Sequence, residues 1–299
     1  MKIFSAAGIR LPYFSVGLKD APVRVLVTAG LDGDEYAGIE AAYRLEKELA
    51  ASHFSSVGVT VVPLVNRPGF LAGTSFHPLD GKYPKNIYPG NPSGTDSERL
   101  VAVLIRQFVS SATVWLDLHG GAITEKLQPF ILASETGKSG IDQLVTQILK
   151  SLPGRPVIVY LKRGALRRPL AIARRGSAYL ILESGWGGKP RLTDINRHLR
   201  WVRTIIGNLD RHQALHSVRA VYRRLDVVSA RQDCFWFAEC GVGQNLVKGE
   251  IVGKTADLTS RQVKKVLCPR TGVSLWLRSA SGASGGDTLC VIMSEKASL

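Results

Sequence analysis

The run Val23-Arg24-Val25-Leu26-Val27-Thr28-Ala29, closed by Gly30-Leu31-Asp32-Gly33-Asp34-Glu35, decides how the rest of the chain is read. Its β-branched, largely apolar residues suit a strand, and the Gly- and Asp-rich turn stops it. From 35 to about 49 the spacing becomes helical, with Ile39, Ala42, Leu45 and Leu49 on one face. A second strand is expected over 57–65, ended by Asn66-Arg67-Pro68-Gly69. Residues 71–96 are rich in Gly, Pro, Asp and Asn with no periodic pattern, which predicts a long functional loop. Helical spacing resumes over 97–109, and a third strand covers 113–117. Working outward, the pattern predicts strands near 129–133, 156–160 and 178–183, with helices near 140–152 and 193–209. Strands alternating with helices argue for an α/β sheet covered on both faces. Beyond about Arg211 the chain turns to short β-prone runs separated by Gly and Ser. The expected division is therefore an α/β domain over 1–211 and a β-rich C-terminal domain over 212–299.

Composition narrows the function classes. At 299 residues, 45% hydrophobic and 21% charged, the chain reads as globular and not disordered. The start lacks a long apolar leader core and no run is long enough to span a bilayer, so a cytoplasmic protein without a membrane partner is expected. Thirty-nine Lys and Arg against 24 acids give a net charge of +15. Neither an RNP-like aromatic strand nor a zinc-finger spacing accompanies them, which argues against specific nucleic-acid recognition. Attraction of an anionic small molecule is the better use of that charge, with a solvated basic face as the plain alternative. Cys234, Cys240, Cys268 and Cys290 form no CxxC pair and are expected as buried free thiols.

Three expected strand ends carry polar residues: Asp32 with Glu35, then Asp117-Leu118-His119, then Glu183. In an open α/β sheet the carboxyl ends of strands gather around one crevice, so these residues can meet. Carboxylates plus one imidazole, with a position left open, make a catalytic metal site, and a further carboxylate beside it can act as general base. Each also has a plainer reading: Asp32 and Asp34 as turn formers, Glu35 as a first-turn helix acid, His119 as a satisfied loop histidine. Glu125 reads better as a helix-face acid than as a second site carboxylate. His77 reads equally as pocket lining or turn cap, and Trp186-Gly187-Gly188 as pocket wall or ordinary loop.

Beyond these spacings, six blocks in order resemble the succinylglutamate desuccinylase/aspartoacylase family. Gly30 to Gly38 is similar to its G-x-H-G-[DN]-E-x-x-G turn, which supplies two zinc ligands, and Val61 to Phe70 to its second strand and following loop. His77-Pro78-Leu79-Asp80-Gly81-Lys82 and Tyr88-Pro89-Gly90 match the frame of its P-x-D-G-x-x-L-N-R-x-F-P-G loop. Asp117-Leu118-His119 resembles the D-x-H segment of the third zinc ligand, and 178–185 the strand bearing the catalytic Glu. Gly243 to Gly253 resembles a turn of the family's C-terminal β domain.

The resemblance implies a zinc-carboxypeptidase-like three-layer α/β/α sandwich with a C-terminal β-rich domain. It implies one zinc ion on Asp32, Glu35 and His119, with Glu183 activating water against the amide of a small, anionic N-acyl compound. Two departures qualify this. Asp32 stands where the family has histidine; a carboxylate can still ligate, but Asp32 and Glu35 together would neutralise the dication, weaken it as a Lewis acid and accommodate harder ions such as manganese. Pro84-Lys85-Asn86 stands where the family reads L-N-R, and Ser75 where it often has Arg, so Lys85, Asn86 and Arg67, or Arg163, are left to bind substrate without a guanidinium fork in that loop. These losses keep a second reading open, a decayed relative serving as a binding or regulatory module. Association into a homo-oligomer is compatible with either.

Overall fold

A computed structural model describes residues 1–154, 156–211 and 220–299. The expected boundary at 211/212 abuts 212–219, outside the described residues. Among the described residues, thirteen strands form one large sheet. In spatial order twelve of them are β1 (Lys2–Ala6), β2 (Ile9–Gly17), β4 (Val57–Val62), β3 (Val23–Ala29), β5 (Val114–His119), β9 (Ala178–Glu183), β7 (Phe130–Ser134), β8 (Val157–Leu161), β10 (Ala220–Ser229), β17 (Thr288–Ser298), β15 (Gly272–Arg278) and β12 (Asn245–Leu246). The thirteenth, β6 (Glu125–Leu127), pairs with β15. A separate four-stranded sheet runs β14 (Val263–Leu267), β13 (Ile251–Asp257), β11 (Cys234–Ala238), β16 (Gly282–Ala283).

The central strands β4, β3, β5 and β9 are mutually parallel, so their carboxyl ends lie on one rim. Alternate side chains then face opposite layers. Val25, Val27, Leu116 and Leu180 pack with the inner faces of α1 (Tyr36–Ala50), α4 (Ser139–Ser151) and α6 (Leu192–Asp210). Leu26, Trp115, Tyr179 and Ile181 pack on the other side against α3 (Asp96–Gln107) and Ile172 of α5 (Arg167–Ala173). This is the expected three-layer α/β/α sandwich, and the part beyond 219 is β-rich. Its sheets bury a smaller core of Cys234, Trp236, Cys268 and Cys290, so three of the four free thiols are buried as expected, while Cys240 is only partly buried against that core.

The structure adds elements the periodicity did not show. β1 and β2 form an N-terminal hairpin whose turn, Ala7-Gly8, has positive φ at both residues. Glu125 lies in β6 and not on a helix face, a correction to the reading above. The expected loop over 71–96 is trimmed at both ends by helices, to 73–95, and the helical structure within it is one short 3-10 turn, Pro84–Asn86. Arg67 opens a six-residue helix, α2 (Arg67–Ala72), where Asn66 accepts from the Gly69 amide at 3.0 Å and caps it. Among the described residues no helix is long and apolar enough to cross a membrane.

Candidate active site

Parallel register builds the first half of the site. β3 pairs Ala29 with Leu118, and β5 pairs His119 with Glu183, so the three strands end side by side. Two glycines let the loops beyond them close in. A Cβ on Gly33 would lie 2.2 Å from the Phe70 amide nitrogen, and one on Gly120 would lie 2.3 Å from the Ser184 carbonyl oxygen. Only hydrogen fits at either place. The turn's Asp34 serves structure: its carboxylate accepts from Ser75 Oγ at 2.6 Å and from the Ile123 amide at 3.2 Å, binding the long loop to the strand ends.

Asp32, Glu35 and His119 converge as buried residues, with one ligand atom from each inside a 4.8 Å cluster. Glu35 stands at the N-cap of α1 but does not cap it; its Oε2 accepts from the Gly120 amide at 3.0 Å and faces His119 Nδ1 at 2.8 Å. The other ring nitrogen, Nε2, donates to Asp117 at 3.1 Å. Asp117 also accepts from Thr28 Oγ1 and from the Tyr179 hydroxyl, each at 2.7 Å, and Trp115 Nε1 donates to the same Thr28 hydroxyl. This buried network fixes the imidazole so that Nδ1 points at Asp32 and Glu35, an arrangement usual behind metal-ligating histidines.

The electrostatics are those of a site crowded with acids. Burial and the Asp32 charge push the Glu35 carboxyl well above the usual range, against the pull of His119. Burial opposes the charge on His119, yet Asp117 and Glu35 outweigh it and raise the imidazole well above its ordinary value. Burial would likewise raise Asp32, but Lys85 and His119 hold it below the carboxylate range. The Lys85 ammonium donates directly to Asp32 Oδ2. Asp32 Oδ1 is buried with no hydrogen-bond partner. An orphaned carboxylate oxygen beside a second carboxylate and an oriented imidazole is a donor set that fits a divalent cation.

Glu183 closes the rim. Burial lifts its carboxyl to about 7, a rise that His119 and Lys85 oppose and Glu125 and Asp32 assist. The next residue is locked from behind: Ser184 Oγ donates to Asp194 at 2.9 Å, and His198 Nε2 donates to the Ser184 carbonyl at 2.9 Å.

Two cavities open on this rim. One, of about 340 Å³, is lined by Lys85, Asn86, His119, Arg168, Tyr179 and Glu183. The other, of about 380 Å³, is lined by Ser75, Lys85 and Glu125 together with Leu275, Trp276 and Arg278 of the C-terminal region. Lys85 borders both. Arg67 is exposed, interacts with Tyr43 and lines neither cavity; Arg163 is exposed beside Gly137. His77 caps a turn, its Nδ1 accepting from the Leu79 amide at 3.4 Å. Trp186 is flanked by Arg191 and Lys126. Arg168, on α5, was not among the expected substrate-binding residues. Here its guanidinium stacks on Tyr179 with a centroid distance of 5.1 Å, and its buried Nη1, 3.9 Å from Asp117, has no hydrogen-bond partner.

The family model for the succinylglutamate desuccinylase/aspartoacylase catalytic domain matches residues 21–208. An N-alpha-acetyl-L-2,4-diaminobutyric acid deacetylase of Halomonas elongata is 25% identical over 298 residues, covering 95% of this chain and 85% of the relative. A succinylglutamate desuccinylase/aspartoacylase structure from Rhodobacter sphaeroides has a TM-score of 0.80 at 22% identity, covering 96% of this chain and 89% of that one. The product-bound ectoine utilization protein of Ruegeria pomeroyi has a TM-score of 0.79 at 19% identity, covering 96% and 90%.

Proposed function

Because the chain belongs to the succinylglutamate desuccinylase/aspartoacylase family, a family of amide-cleaving deacylases, we propose that it is a metal-dependent hydrolase of a small, anionic N-acyl compound. The observation that carries this reading is the β5–β9 register, which sets Glu183 beside a histidine already turned toward two buried carboxylates. Asp32, Glu35 and His119 would hold one divalent cation, zinc or manganese, which when bound supplies Lewis acidity toward the scissile carbonyl.

The chain's own residues do the rest. Glu183, with a carboxyl that titrates near neutrality, takes a proton from the attacking water and returns it to the leaving nitrogen. The water oxygen bonds to the acyl carbon, the C–N bond breaks, and a carboxylate and a free amine leave. Asn86, in the same cavity, offers an amide donor to the developing oxyanion. Arg168, whose side chain lines this cavity, would meet a substrate carboxylate, the role that Lys85, Asn86 and Arg67 were expected to share. The Halomonas relative is named for an N-acetylated amino acid, a substrate type that carries such a carboxylate.

The test combines elemental analysis of the purified chain with a screen of N-acetyl and N-succinyl amino acids. About one divalent ion per chain and release of free amine are expected. A chain that holds its ion, cleaves none of these compounds and still binds them would instead be the binding module.

A further inference from the structure

We infer that the Lys85 ammonium is the standing occupant of the cation site and that a divalent ion enters by displacing it from Asp32. The inference rests on the metal-dependent reading above and deepens it. Asp32 is 0% exposed, and one of its oxygens accepts from Lys85 while the other has no partner. The same carboxylate supplies one of the three candidate ligand atoms. A dication and an ammonium cannot both sit against one carboxylate without strong repulsion in a buried setting, so their occupancies exclude one another.

The two departures from the family pattern thereby become one. A neutral histidine at position 32 would need no counter-charge, whereas a buried aspartate does. The residue that supplies it comes from the altered Pro84-Lys85-Asn86 segment, 53 positions away, and makes direct contact. Lys85 also has a place to withdraw to. It lines the second cavity as well as the first, and that second cavity presents the part-buried carboxylate of Glu125. The lysine can thus exchange one acid for the other by moving its flexible stem, with the backbone turn held. The site is closed by a tethered monovalent cation until a more highly charged one replaces it.

The experiment is a competition titration of zinc against a chromogenic chelator, run on the full-length chain and on K85M, K85N, D32H and D32H/K85N, with circular dichroism confirming each fold. K85M should bind zinc at least tenfold more tightly than the unmodified chain. K85N should also gain affinity, and most of that gain should vanish in the D32H background, because the imidazole no longer retains the ammonium. In the unmodified chain, zinc should raise the reactivity of Lys85 toward an amine-acylating reagent, read by peptide mass spectrometry; this arm needs no variant to fold. Zinc affinity unchanged in K85M and K85N, with Lys85 reactivity indifferent to zinc, overturns the inference and leaves the metal-dependent reading standing. No zinc uptake by any of the five proteins overturns both.

Discussion

The two sides of the site are held by different physics. On one side His119 and Glu183 are fixed relative to each other by the register of paired parallel strands, and Asp32 and Glu35 lie in the short buried turn between β3 and α1. On the other side Lys85, Asn86 and Arg168 come from a loop and a short helix, held by turns and polar ties. The loop's main anchor is Asp80, which accepts from the Ser97 amide and hydroxyl at 2.9 and 2.7 Å, with Lys82 bonded to Glu98 at 2.9 Å. A register cannot shift without moving every side chain on the strand, while a loop can reposition one residue. The rigid side therefore suits bond-breaking groups, and the adjustable side suits substrate and ion selection.

The largest effect should come from the rigid side. E183Q should keep fold and metal content yet lose turnover by about a hundredfold or more, measured as amine release from whichever N-acyl compound is cleaved. The same residue sets a pH dependence. Glu183 must be ionised to accept a proton, so kcat should rise as pH increases through about 7; a bound cation moves that midpoint lower. A pH profile that falls across this range would assign the base elsewhere.

The next effect probes the orientation of His119 and not its presence. D117N removes the charged acceptor of Nε2–H and should weaken metal affinity by about ten- to a hundredfold with the fold intact. Equal affinity in D117N would mean that strand packing alone holds the ring.

Turning to the adjustable side, R168A should raise KM about tenfold or more for a carboxylate-bearing substrate, with a smaller change in kcat. The corresponding substrate amide should be nearly indifferent to the change, and equal losses on both compounds would refute a carboxylate contact.

The smallest effect is purely structural. D80A should cost roughly 1–2 kcal/mol in thermal or denaturant unfolding by removing the bonds to Ser97 and Lys82. Zinc affinity should be unaffected. If it changes as much as stability does, loop anchoring and the cation site are energetically coupled.

The rigid side is also the side that was legible in the sequence. An apolar run stopped by Gly and Asp announces a strand end, and Asp117-Leu118-His119 and Glu183 each close a run of the same kind. Two strand ends can therefore be expected to meet before any coordinate is known, because α/β topology brings them together. The adjustable side was not legible for the opposite reason. Arg168 lies on a seven-residue helix with Pro169 in its first turn, too short and irregular to show a period. Lys85 could be seen as a changed residue, but its contact with Asp32 joins positions that no local pattern relates. The β1–β2 hairpin is masked by Pro12 within β2, a residue that argues against a strand, and β6 is too short to alternate.

The described strands run without a break from β8 to β10, through the pairing of Val159 with Tyr222, and on to β17 and β15. A fragment ending at Arg211 would strip β8 of that neighbour and bare an edge whose Ile158 and Val159 are both 0% exposed in the intact chain. An uncovered apolar edge strand is a template for pairing with other molecules. Such a fragment is expected to form oligomers or aggregates on a sizing column, so the C-terminal strands act as a shield against self-association as well as a wall of the second cavity.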